Sequence, residues 1–212
     1  MFLHHELTNF TNLRIWMLTL IVDEFHQLTF CSMITIISGT DRKDGLTHIL
    51  ATHYQTLIES KTTEGVNVFS LENLPPDLYG AAMYKKDTLS TAFLKIEDEL
   101  LVPADKFIFV IPEYNGSFPG ILKLFVDAAS VRSKMSIFKG KKAALVGVAT
   151  GRAGNIRGLE HFTSVMMFMG VTVLPNLLPI SAFNKLLNAS NNIADANALM
   201  AIEKQVDEFL KF

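Results

Sequence analysis

Short apolar runs alternate with helical apolar patterns through most of this chain, and that alternation constrains the fold more than any other feature. Residues 33–38, 66–69, 106–111, 143–149 and 171–174 read as strands. The third and fourth are apolar nearly throughout, as central parallel strands covered on both faces must be. Between them Leu46, Ile49, Leu50, His53, Leu57 and Ile58 recur on one face of a helix. Leu89, Ala92, Phe93, Ile96 and Leu100 repeat the pattern, and Pro103 helps to end it. Pro119 opens a helix over 119–130, residues 154–169 form another, and 193–210 close the chain as a last one. Strand–helix alternation repeated five times implies an α/β fold with helices on both faces of a parallel sheet. A doubly wound five-stranded sheet in the order 2-1-3-4-5 fits the length.

Such sheets bind ligands outside the carboxyl ends of their strands, where the winding reverses. The loops after strands one, three and four therefore carry the functional expectation. The first, Ser38-Gly39-Thr40-Asp41-Arg42-Lys43-Asp44-Gly45-Leu46-Thr47, runs straight into a helix. A helix N-terminus presents unpaired N–H groups and partial positive charge, a place suited to phosphate. Thr40 and Thr47 offer hydroxyls and Arg42 a guanidinium. The spacing is neither G-x-G-x-x-G nor a Walker A loop; a capped turn with solvated charges is the competing reading. The second loop, Pro112-Glu113-Tyr114-Asn115-Gly116-Ser117-Phe118-Pro119-Gly120, places an aromatic, an amide and free backbone groups at a strand tip. Asn-Gly often makes a hairpin turn, but no alternating strand follows, so a hairpin is not expected. In the third, Thr150-Gly151-Arg152-Ala153-Gly154-Asn155-Ile156-Arg157-Gly158, the glycines permit close backbone approach to a flat ligand.

Composition narrows the function. Lys plus Arg number 19 against 21 Asp plus Glu, a net charge of −2, which argues against binding nucleic acid by phosphate neutralisation. One cysteine, Cys31, permits neither an intrachain disulfide nor a thiolate cluster. Apolar residues make up 49% of the chain, enough to fill a core. The apolar stretch at 15–22 is shorter than the roughly 20 residues that span a bilayer, and no signal-peptide pattern accompanies it. A cytoplasmic protein with no membrane partner is the expectation. Residues 1–32 read as an N-terminal extension, poorly ordered or following a misplaced start codon, and residues 33–212 as the functional domain.

Taken together, the three loops resemble those of the NADPH-dependent FMN reductases, a family of flavodoxin-like flavoproteins. The residues carrying the likeness are Gly39-Thr40-Asp41-Arg42, Pro112 through Gly120, and Thr150-Gly151-Arg152-Ala153-Gly154. The resemblance implies FMN as cofactor and NADPH or NADH as donor. It implies a phosphate site at Gly39, Thr40, Arg42 and Thr47. Pro112, Glu113, Tyr114, Asn115 and Gly116 would line one side of the isoalloxazine, and Thr150, Gly151 and Arg152 the other. Hydride would pass from NAD(P)H through FMN to a small-molecule acceptor such as a quinone, an azo compound or free flavin. A homodimer or tetramer, with flavin near the subunit interface, is also implied; residues 74–84, whose Tyr79, Met83 and Tyr84 read as exposed, are the stretch expected to reach a neighbouring subunit. Gly45 departs from the family, which has a phosphate-binding serine there, and Leu46 replaces a residue that is often polar.

The flavin carries the redox chemistry in such a protein, so no catalytic triad, carboxylate pair or metal set is required of the chain. His48, His53 and His161 read as structural or solvated, and Met166, Met167 and Met169 as core filler. Arg152 and Arg157 are open to either NADPH phosphates or solvent. A non-enzymatic FMN-binding redox sensor or electron-transfer module is the alternative function. A receiver-type signalling domain is disfavoured, because its acidic residues are missing from the ends of strands one and three.

Overall fold

The computed structural model describes residues 32–43, 45–133 and 136–212. Apart from Ser32, the expected N-terminal extension lies outside them. Ser32–Phe212 forms a unit of its own.

The chain begins with β1 (Met33–Ser38), α1 (Leu46–Glu59) and β2 (Gly65–Ser70). Four short 3₁₀ turns between Leu71 and Thr88 lead to α2 (Thr91–Ile96), which continues as a π-helical segment, Glu97–Leu101. Then come β3 (Lys106–Pro112), α3 (Gly120–Ser133), β4 (Lys142–Val148), α4 (Ile156–Phe168), β5 (Thr172–Val173), β6 (Leu178–Ile180) and α5 (Ala196–Lys211). The strands pair in parallel in the order β2-β1-β3-β4-β5, as expected.

The second helix starts later than its apolar pattern. Ser90 takes the N–H of Phe93 at 3.4 Å, so the helix is capped beyond Leu89. The fifth strand position is shared by two short segments. β5 pairs with Lys142–Ala143 and β6 with Val146–Val148, on the same side of β4. Between them lies Pro175, which has no N–H to give to a ladder.

Strand alternation separates two cores. Ile37, Phe107, Phe109, Ile111 and Leu145 point to the face covered by α2, α3 and α4. Phe109 and Phe162 meet there edge-on with ring centres 5.0 Å apart. Ile34, Ile36, Ile108, Val110 and Val146 point to the other face, covered by α1 and α5. Each fully buried Leu, Ile or Phe of these layers contributes about 1.5–3 kcal/mol. A buried polar link crosses the second layer: Tyr54 donates to Gln205 at 2.6 Å, and Gln205 donates to the carbonyls of Leu145 and Asn176. Desolvation raises the Tyr54 pKa well above its ordinary value, so the phenol stays a donor.

Met166 and Met169 fill the core as expected, but Met167 is 65% exposed. Positions 166 and 169 share a helix face, and 167 is turned about 100° away from it. In the 74–84 stretch Tyr79 and Tyr84 are exposed as expected, whereas Met83 is buried.

Candidate functional site

The carboxyl ends of β1, β3 and β4 surround a cavity of about 330 Å³. Thr40, Arg42, Lys43, Gly45, Leu46 and Thr47 form one wall; Pro112, Glu113 and Tyr114 form the second; Val148, Ala149, Thr150 and Gly151 form the third. Three loops that are far apart in sequence therefore converge on one site.

The first wall is an exposed helix start. Gly45 is the N-cap of α1, with φ −70° and ψ 142°, and no side chain caps the helix or places an acid in its first turn. The N–H groups of Leu46 and Thr47 have no backbone partner among the described residues, and the Thr47 hydroxyl is likewise unpaired. With Arg42 and Lys43 alongside, this end of the cavity favours an anion. Thr40 organises the turn: its Oγ1 accepts from the Arg42 N–H at 3.2 Å and lies 2.7 Å from the Tyr114 phenolic oxygen.

Gly39 acts from behind the cavity. Its N–H donates to Val110 at 2.9 Å, and a Cβ there would stand 2.9 Å from that same carbonyl oxygen. Only glycine lets the chain leave β1 so close to β3.

The second wall ends in a tight turn. Tyr114 and Ser117 exchange both backbone hydrogen bonds, at 2.9 and 3.1 Å, around Asn115 (φ 52°) and Gly116 (φ 78°). This is a tight two-residue turn closed by one isolated bridge; no strands extend from it and α3 follows at Gly120, as expected. Asn115 and Gly116 lie outside the cavity lining, beyond Tyr114. Ser117 Oγ sits 3.0 Å from His161 Nδ1, so His161 braces this turn.

The third wall depends on β6. Ala149 donates to Ile180, and Ala182 and Phe183 donate to Gly151 and Ala149, all at 3.0–3.2 Å. Gly151 is open and lines the cavity, while exposed Arg152 does not. Gly154 and Gly158 do not serve close approach to a ligand. A Cβ on Gly154 would lie 2.7 Å from the Pro179 carbonyl carbon, and one on Gly158 would meet Asn155 Oδ1. These glycines make room for the protein's own chain.

Thus Thr40, Arg42, Thr47, Pro112, Glu113, Tyr114, Thr150 and Gly151 come together at the cavity, and Gly39, Asn115, Gly116 and Arg152 flank it. Lys43, Val148 and Ala149 were missed. The last two are legible as the final residues of an apolar strand at the sheet's carboxyl edge. Asn155, buried behind the third wall and bonded to the Pro112 carbonyl, leaves no such signal.

The cavity suits a phosphorylated heterocycle. It joins a cationic helix start to a wall of proline, tyrosine, valine and alanine, and Glu113 is its one lining carboxylate among the described residues. Its volume is near the lower end of small-ligand sites, about 300–1,000 Å³, so part of such a ligand would stay open to a second molecule. Among the described residues there is no cluster able to hold a metal ion, and no helix long and apolar enough to cross a membrane.

A family model described as NADPH-dependent FMN reductase matches residues 32–185. An NAD(P)H-dependent FMN reductase of Pseudomonas aeruginosa is 33% identical over 135 residues, covering 61% of this chain and 72% of the relative. A 2-hydroxy-1,4-benzoquinone reductase from Burkholderia sp is 25% identical over 180 residues, covering 83% and 93%. Among solved structures, the flavoenzyme FerB, an NAD(P)H:(acceptor) oxidoreductase from Paracoccus denitrificans, superposes with a TM-score of 0.69. It is 22% identical, and the match covers 85% of this chain and 96% of FerB.

Proposed function

The chain belongs to the NADPH-dependent FMN reductase family, and from that premise we propose that the cavity at the carboxyl edge of the sheet holds FMN and opens to a quinone or azo acceptor. The protein is an FMN-dependent NAD(P)H oxidoreductase. The observation that carries the placement is the uncapped start of α1, flanked by Arg42 and Lys43, at one end of a cavity with apolar walls.

The amides of Leu46 and Thr47, the Thr47 hydroxyl and the Arg42 guanidinium would hold the phosphate. Pro112 through Tyr114 would present one side to the ring system and Val148 through Gly151 the other. Bound FMN supplies the hydride chemistry that the side chains here lack. The protein's share is orientation, a fixed cationic end, and an open side where NAD(P)H and acceptor take turns. Arg152 and Arg157, both exposed, are available to the dinucleotide phosphates.

A quinone acceptor is supported by the benzoquinone reductase relative. An azo acceptor is suggested by an azoreductase from Bacillus anthracis that shares the fold, at 17% identity and a TM-score of 0.55. We read the protein as cytoplasmic, where NAD(P)H is supplied, and as a homodimer. Met167 and Phe168 stand 65% and 80% exposed at the end of α4, side by side, and this apolar pair supports a subunit contact there.

The test is steady-state oxidation of NADPH by purified protein supplied with FMN and a benzoquinone. Turnover that requires both additions is expected. FMN binding with no turnover would leave the redox-sensor reading in its place.

A further inference from the structure

We propose that Asn155 is a positioning residue for the flavin site, tying the loop after β4 to the tip of β3 and so setting the gap between two walls of the cavity. The proposal rests on the reading of that cavity as the FMN site.

Asn155 is 1% exposed and adopts a left-handed conformation, φ 65° and ψ 29°, just before α4. Asparagine tolerates that region better than most residues. At this position its side chain would ordinarily cap the helix, yet it makes no cap. Its Nδ2 instead donates to the carbonyls of Ile111 at 3.0 Å and Pro112 at 2.9 Å. Oδ1 is buried without a partner. Gly158 makes room for the side chain, because a Cβ there would run into the Asn155 amide, and Gly147 makes room for the loop that carries it, because a Cβ there would collide with the Gly154 carbonyl oxygen. A cap forgone and an acceptor left bare both cost stability, and what they secure is the pair of bonds to β3.

Those bonds act on the wall that faces the ligand. The Pro112–Glu113 peptide is fixed at both ends, its carbonyl by Asn155 and its N–H by Val148 at 3.1 Å. The Tyr114 N–H is held by Ser117. At the tip the Glu113 carbonyl, on a residue that lines the cavity, and the N–H and carbonyl groups of Asn115 and Gly116 just beyond it have no partner among the described residues, leaving the tip's polar backbone free for a ring edge.

Asn155→Gly keeps the left-handed backbone and deletes the amide; Asn155→Asp keeps the size and deletes the donors. Fluorescence titrations with FMN and riboflavin, the visible spectrum at saturating FMN, and far-UV circular dichroism test the proposal. Both variants are expected to remain folded and to bind both flavins about tenfold more weakly. The FMN-to-riboflavin affinity ratio should stay as in the wild type, and the bound-flavin absorption band should shift. Unchanged affinity and spectrum in both variants would overturn the proposal. A loss confined to FMN would also overturn it, by moving the effect to the phosphate end. Unfolding of both variants would assign Asn155 to the fold alone. If the wild-type protein binds neither flavin, the cavity reading itself fails.

Discussion

The hydroxyl of Thr40 and the phenol of Tyr114 meet at 2.7 Å, joining the loop after β1 to the loop after β3 across 74 residues of sequence. Thr40 is 3% exposed and also receives the Arg42 N–H, so one oxygen links the anion-binding turn to the aromatic wall. Removing it should be felt at both ends of the cavity. A net hydrogen bond is worth about 0.5–1.5 kcal/mol, so Tyr114→Phe should weaken FMN about two- to tenfold in a fluorescence titration. Unaltered affinity would show the link to be incidental to binding.

Arg42 lines the cavity beside the open start of α1. Arg42→Ala should cost FMN about ten- to a hundredfold in affinity, one charge-assisted hydrogen bond being worth about 1.5–3 kcal/mol. Riboflavin, which lacks the phosphate, should lose much less. Equal losses measured by calorimetry would place the effect of Arg42 in folding instead.

Gly45 leaves the helix uncapped where the family carries a serine. Its φ and ψ suit any residue, and a Cβ there would meet the Arg42 carbonyl oxygen at 3.2 Å, a tight but small contact. Gly45→Ser should raise the melting temperature only slightly, because glycine is itself a fair N-cap. FMN retention through gel filtration should improve, with affinity up about tenfold. No gain in retention would mean that Thr47 already saturates the phosphate.

Glu97 is fully buried, with Oε2 3.4 Å from Arg132 and Oε1 unpaired. Burial pushes its carboxyl up from 4.5 to about 7, and the Arg132 guanidinium opposes that shift more weakly. The folded state therefore holds a proton that the unfolded chain releases, and stability falls as pH rises from about 4.5 to 7, then levels. Thermal melts of the wild type and Glu97→Gln across pH 4.5–8 should differ in slope, the variant's being flatter in that window. Parallel curves would remove Glu97 from the pH dependence.

Phe168 is 80% exposed on α4, with grooves of about 550 and 370 Å³ to either side of the Met167–Phe168 ridge. Size-exclusion chromatography with light scattering should show a dimer, and Phe168→Asp should shift it toward monomer. A wild-type monomer at tens of micromolar would end the homodimer reading.

Periodicity and strand-end logic determined much of this protein in advance. The parallel order, the three converging loops and most of the cavity lining were legible because apolar alternation fixes which face of a strand is buried, and the carboxyl edge follows from the topology. Strand-end logic picked out the loops that carry Thr40, Arg42, Thr47, Pro112, Glu113, Tyr114, Thr150 and Gly151, and the resemblance to the FMN reductases assigned those residues to one site. Local pattern could not show that the fifth strand position is shared with β6, because a three-residue segment after Pro175 has too few residues for a period. It could not assign the glycines correctly either. Gly151 borders the cavity, while Gly154 and Gly158 are needed by Pro179 and Asn155, neighbours fixed only by folding. The Asn155 bonds to Ile111 and Pro112 span more than 40 residues. A side chain that spends its amide on a distant strand leaves no trace in its own neighbourhood, so only the packed structure decided which groups face the ligand.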